Sequence, residues 1–156
     1  GVVGAARRQT RGEGLTSGCQ FTEAEKEKED EVMPNWCENR VEVSGEGERV
    51  KSFVEAVKSE ESAFDFEKIM ATPPDLLNVV ADGKNYSWYQ WRLEHWGTKW
   101  NTDAPSCDNH GDLAIYHFDT AWSPPEGICK LVRDQWPDLS ITWFYDEPGM
   151  AIAGYL

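Results

Sequence analysis

Val41 and Val43 alternate with Arg40, Glu42 and Ser44 in the run NRVEVSG. A period of two closed by glycine predicts a half-buried strand over 39–45. The period then changes. Val50, Phe53, Val54 and Val57 stand at i, i+3, i+4 and i+7, one face of an amphipathic helix within 47–61. Phe64 and Phe66 flank Asp65 and predict a short extended piece, which Pro73 and Pro74 end. Asp75 to Val80 reads as a turn of helix, and ADGKN as a loop. NYSWYQWRLEHWGTKW predicts a helix carrying Trp88, Trp91, Leu93 and Trp96. Gly97 sits where a C-terminal cap glycine belongs, and TKWNT continues extended. After a polar loop over 101–112, DLAIYHFDTAW alternates as a strand. In SPPEGICKLVRDQW, Ser123 is the expected N-cap, Pro124 the first helical residue and Glu126 the capping-box partner. Ile128, Leu131, Val132 and Trp136 form the expected buried stripe of that helix. Two strands, 139–145 and 150–156, follow around the turn DEPGM.

The order is strand, helix, strand, inserted helix, strand, helix, strand, strand. Without the insert this is β-α-β-β-α-β. The fold class expected is therefore α+β: a ferredoxin-like βαββαβ sandwich with an inserted Trp-rich helix and an extra C-terminal strand. Two amphipathic helices would cover one face of an antiparallel sheet.

Composition changes this picture at the N-terminus. Residues 1–32 lack apolar periodicity and end in the charged run FTEAEKEKEDEV. They are expected to be a disordered extension, with the ferredoxin-like domain spanning 33–156 and Met33 as its natural start. Net charge is −13. The extension holds seven acidic and five basic residues, leaving 21 and ten for residues 33–156, so the acidity belongs to the domain. Such a surface disfavours duplex DNA, which needs clustered Lys and Arg on phosphates. It suits a protein partner with a basic surface. No apolar run approaches a membrane span and no leader pattern opens the chain, so a cytoplasmic location is expected.

Candidate chemistry is sparse. Cys19, Cys37, Cys107 and Cys129 form no CxxC, and the three histidines make no metal motif, so no metal or cofactor is expected. Cys37 and Cys129 read as packed thiols. The segment HWGTKWN offers Trp96, Thr98, Lys99, Trp100 and Asn101: a cation among aromatic planes beside hydrogen-bonding side chains. FDTAW adds Asp119, Thr120 and Trp122, and PNWCENR adds Asn35 and Trp36. These ten residues are the candidate binding set. A core reading stands beside each of them, because Trp buries large area, Gly97 caps a helix, and Asp119, Thr120 and Ser123 suit turns.

MPNWCENRVEVSG, HWGTKWN, FDTAWSPP and YDEPGMAIAGY, in that order, resemble the YubB-type ferredoxin-like domain family of phages, prophages and conjugative plasmids. The resemblance runs from Met33 to Leu156. It implies a ferredoxin-like fold, a bacterial host cell and no established biochemical role. Three functions remain open. The first is a non-enzymatic binding module whose acidic surface modulates a nucleic-acid-handling protein. The second is a binder of single-stranded nucleic acid or nucleotides, using Trp residues and Lys99. The third is an enzyme built on Lys99, His95 and Asp119.

Overall fold

The computed structural model describes residues 35–156; the expected extension over 1–32 and the start at Met33 lie outside the described residues. The first strand, β1 (Trp36–Ser44), leads into helix α1 (Gly47–Val57). Two short helical turns follow, α2 (Phe66–Ile69) and α3 (Pro74–Leu77), and then α4 (Trp88–His95). Strands β2 (Asp103–Asn109) and β3 (Leu113–Ala121) form a hairpin. Helix α5 (Glu126–Gln135) returns the chain to β4 (Ser140–Glu147) and β5 (Ile152–Tyr155). The sheet order is β2-β3-β1-β4-β5, antiparallel throughout. That is the ferredoxin-like arrangement with one strand added beyond β4.

Periodicity explains most elements. Alternate residues of β1 (Val41, Val43), β3 (Ala114, Tyr116, Phe118) and β4 (Ile141, Trp143) are buried. They meet Val50, Phe53 and Val57 of α1 and Ile128, Cys129 and Val132 of α5 in one apolar core. The α1 N-terminus is held by Glu46, whose carboxylate accepts from the Glu48 and Arg49 amides. Both long helices lie on one side of the sheet, leaving the other side without helices.

Phe64 fills the centre. Its ring stacks on Phe118 at 5.0 Å and meets Tyr116 at 5.0 Å, Trp143 at 5.8 Å and Phe53 at 6.3 Å, mostly edge to face. The expected extended piece around it is not a strand. Phe64 and Phe66 do point the same way, as alternation requires, but Asp65 caps α2 by accepting from the Glu67 amide at 2.9 Å. The strand lies instead in the polar run read as a loop, because β2 is an edge strand with solvent on its outer side and its open face. Only Cys107 packs from it against the core. The helix after FDTAW also starts later than its capping pattern predicts. Pro125 is the N-cap position and no side chain caps it. Ser123 Oγ instead donates to the Gly97 carbonyl at 2.6 Å. In the stripe of α5, Cys129 takes the fully buried place expected of Leu131.

The inserted segment docks through backbone. Gly97 ends α4 at φ +89° with its amide donating to the Arg92 carbonyl at 3.1 Å. Across from it, a Cβ on Gly127 would lie 1.7 Å from the His95 carbonyl oxygen, so α4 and α5 touch main chain to main chain. Arg92 completes the joint. Its guanidinium pairs with Glu67 at 3.0 Å, donates to Thr72 Oγ1 at 3.0 Å and lies over the Trp88 and Trp96 rings. Gly127→Ala should therefore cost about 3 kcal/mol, through forced displacement of α5, in a urea unfolding titration. A variant as stable as the parent would show that the joint yields freely.

Candidate functional site

The two sides of the sheet have opposite chemistry. On the helix side, polar groups are satisfied. Asn39 is buried in β1, and its Nδ2 donates to Thr120 Oγ1 at 2.9 Å and to the Cys37 carbonyl at 3.0 Å. Its Oδ1 accepts from Trp143 Nε1 at 3.0 Å. Thr120 Oγ1 donates to the Ser123 carbonyl at 2.7 Å. Cys37 is fully buried, and burial pushes its thiol up to about 11, so it is a packed thiol and not a thiolate nucleophile at neutral pH.

The helix-free side carries charge. Strand register sets Asp103 opposite Asp119, Asp119 opposite Glu38, and Glu38 opposite Asp146. Four carboxylates thus run in one line across β2, β3, β1 and β4. Directly opposed side chains on neighbouring strands have Cβ atoms about 5 Å apart, and like charges there repel. No cation answers them: the ion pairs among the described residues are Arg40–Glu42, Arg49–Asp138, Lys58–Glu55 and Arg92–Glu67. The Asp119 carboxyl is held above the usual carboxylate range, first by burial and then by Glu38 and Asp103.

The next row is mixed. Ser106, His117, Arg40, Phe144 and Tyr155 face one another from β2 to β5. Arg40 is tied to Glu42 on its own strand at 2.5 Å. The Phe144 and Tyr155 rings meet edge to face at 5.3 Å. Two shallow hollows open here. One of about 290 Å³ is lined by Arg40, Glu42, Thr142, Phe144 and Tyr155. The other, of about 180 Å³, lies among Glu38, Arg40, His117, Phe144 and Asp146.

Of the ten residues singled out from sequence, the structure brings some together and turns others inward. Trp96 and Thr98 are fully buried; Trp96 Nε1 donates to the Met70 carbonyl at 2.9 Å and Thr98 Oγ1 to the Ala121 carbonyl at 2.9 Å. Thr120 lies in the buried network around Asn39. Asn101 is a clamp: Oδ1 accepts from the Phe66 and Thr102 amides at 2.9 Å each, and Nδ2 donates to Asp65 at 2.8 Å. At the surface, Trp36 and Trp100 lie 6.3 Å apart and Lys99 Nζ sits 4.2 Å above the Trp100 ring. Trp36 is one row above the acidic line, opposite Ala121. Trp100, expected in the core, is 37% exposed. Trp122 is exposed at φ +70°, a left-handed conformation unusual for a bulky residue, with its amide donating to the Asn35 carbonyl at 2.8 Å. Lys99, His95 and Asp119 take separate partners. His95 stacks on Trp91 at 4.4 Å, and no hydrogen bond or ion pair among the described residues joins any two of the three.

Residues 95–156 match the family model described as a ferredoxin-like domain in Api92-like protein. The matched segment holds β2, β3, α5, β4 and β5, and the ferredoxin-like fold agrees with the sheet order. The YubB-type designation and an origin in phages or plasmids are not part of that match. No curated protein and no solved structure matches the chain. No helix among the described residues is long and apolar enough to cross a membrane.

Sequence reasoning missed Glu38, Asp103, Asp146, Arg40, Phe144 and Tyr155. Alternation along each strand placed most of them outward, but only register sets them in rows. Asp119→Asn should raise the urea midpoint at pH 7, since the ionised form is disfavoured in the fold. A raised folded pKa means that this penalty is present above it and fades as pH falls toward the ordinary Asp value of about 4. The gain of the variant over the parent should shrink over the same window. A gain that stays constant with pH would exclude Asp119 ionisation as its source.

Proposed function

We propose that the domain is a non-enzymatic binding module whose helix-free sheet face takes a basic protein. The observation that carries this reading is the uncompensated line Asp103, Asp119, Glu38 and Asp146. Unpaired opposed carboxylates destabilise a sheet on their own, and a cationic partner relieves that repulsion. The hollows beside Phe144 supply apolar contact next to the charge. Proteins that handle nucleic acid display the complementary surface, so the partner class is a nucleic-acid-handling protein whose phosphate-binding patch the acidic line covers. The family resemblance adds a setting: a bacterial cytoplasm, in a cell carrying a mobile element.

The test compares the parent chain with a fourfold variant (Glu38→Gln, Asp103→Asn, Asp119→Asn, Asp146→Asn) on a defined probe, an arginine-rich peptide. The parent should bind, weaken steeply with added salt, and exceed the variant by roughly tenfold or more in affinity. Equal affinity of the two would defeat the proposal.

A second reading rests on the Trp36–Trp100 pair with Lys99 above Trp100 and Trp122 nearby in sequence at the surface. Exposed indoles stack on bases and a lysine meets phosphate. The adjoining carboxylates repel phosphate, which favours the first reading. Single-stranded oligonucleotide should quench tryptophan emission under the second, and Trp122→Gly, which suits the left-handed backbone, should lower the quench without loss of stability. A flat titration removes it.

A further inference from the structure

The two edges of the sheet are not treated alike. Strand β2 is blocked: Pro105 lacks a donor, Ala104 sits at φ +45°, and the register with β3 shifts between Asp103 and Ser106. Asp103 and Asp108 add charge to the same edge. These are the devices by which native sheets refuse another strand. Strand β5 has none of them. Ile152, Ala153, Gly154 and Tyr155 carry no charge and no proline, and their register with β4 is unbroken. Ile152 is 42% and Tyr155 73% exposed.

The phase of the ladder is fixed by the Leu156 amide, which donates to the Trp143 carbonyl at 3.0 Å. In an antiparallel pair the bonded residues alternate. Gly154 and Ile152 therefore face β4, whereas the N–H and C=O groups of Ala153 and Tyr155 point away from the sheet. Among the described residues nothing pairs beyond β5. Gly154 also leaves room for the Tyr145 ring, whose phenol oxygen would be 3.3 Å from a Cβ there, so the strand is braced from the helix side.

Hollows flank this edge on both faces. The 290 Å³ hollow on the open face and a groove of about 480 Å³ along α5 share Tyr155; the groove is lined also by Glu126, Cys129, Lys130, Arg133 and Leu156. Side chains of an added strand would alternate between them. We infer that β5 is a docking edge for an extended segment of a partner protein, which joins the sheet as a sixth strand with basic residues on the open face and apolar residues toward α5. A basic side chain there falls beside the Tyr155 ring, with Asp146 on the strand beyond. A second copy is disfavoured by charge, since the chain carries −13. The inference rests on the reading of the domain as a protein-binding module and adds where the partner's backbone goes.

The probe is a terminally blocked peptide of alternating lysine and valine, added to the full isotope-labelled chain. Saturation should slow hydrogen exchange at the Ala153 and Tyr155 amides. Ala153→Pro removes one outward donor and should weaken binding about tenfold, while Ala153→Val, which keeps it, binds like the parent. Thermal unfolding reports whether the proline variant folds; if it does not, the exchange result on the parent chain decides. Perturbation confined to the acidic line, with Ala153 and Tyr155 exchanging freely, overturns strand addition and leaves the acidic-face reading standing. Protection of those amides without peptide, in a concentration-dependent dimer, makes the occupant a second copy and overturns the inference. No binding at all overturns both.

Discussion

Everything in this small core is arranged around one side chain delivered by a loop. Phe64 lies between α1 and α2, yet its ring is the piece that Phe53, Tyr116, Phe118 and Trp143 all pack upon. A loop cannot hold such a ring in place by itself, because its peptide groups lack ladder partners. The partners come from a distant part of the chain. Asn101 accepts from the Phe66 amide, and Thr102 Oγ1 donates to the Phe64 carbonyl at 2.6 Å. The polar residues after Trp100 are thus the clamp that keeps an aromatic plug seated.

This clamp explains why polar residues near Trp96 look like a site in sequence. Thr98, Asn101 and Thr120 have the types and spacing of ligand-binding groups, and each is taken up by main-chain or side-chain partners. Sequence pattern carries residue type and face, and it does so well for β1, α1, β3 and α5, where burial follows period. It does not carry which residue of one strand stands opposite which residue of another. The acidic line exists only through register, so Glu38 and Asp146, more than a hundred residues apart along the chain, could not be joined by any local reading. Strand β2 was invisible for a related reason: an edge strand buries too little to need apolar alternation.

The sheet therefore separates two tasks. Its helix side is a satisfied interior, where even a buried asparagine meets donors and acceptors with matching partners. Its open side keeps opposed carboxylates uncompensated and hollows unfilled. A protein under selection for stability alone has simple remedies, such as a lysine at any of the four acidic positions. Keeping repulsion on one face while the other is well satisfied is the pattern of a surface shaped by what it meets.

The main-chain contact between His95 and Gly127 has a consequence for how the chain can vary. The joint fixes the point where the inserted segment hands over to the second half of the fold, and the family match begins at that same residue, His95. Everything between α1 and that point, apart from the Phe64 plug and the Glu67 anchor for Arg92, hangs from two fixed ends. Loop closure becomes only slowly costlier with length. The stretch from Pro73 to Ser87 is thus a place where the chain can lengthen, shorten or carry a new surface, while the sheet and its acidic face keep their geometry.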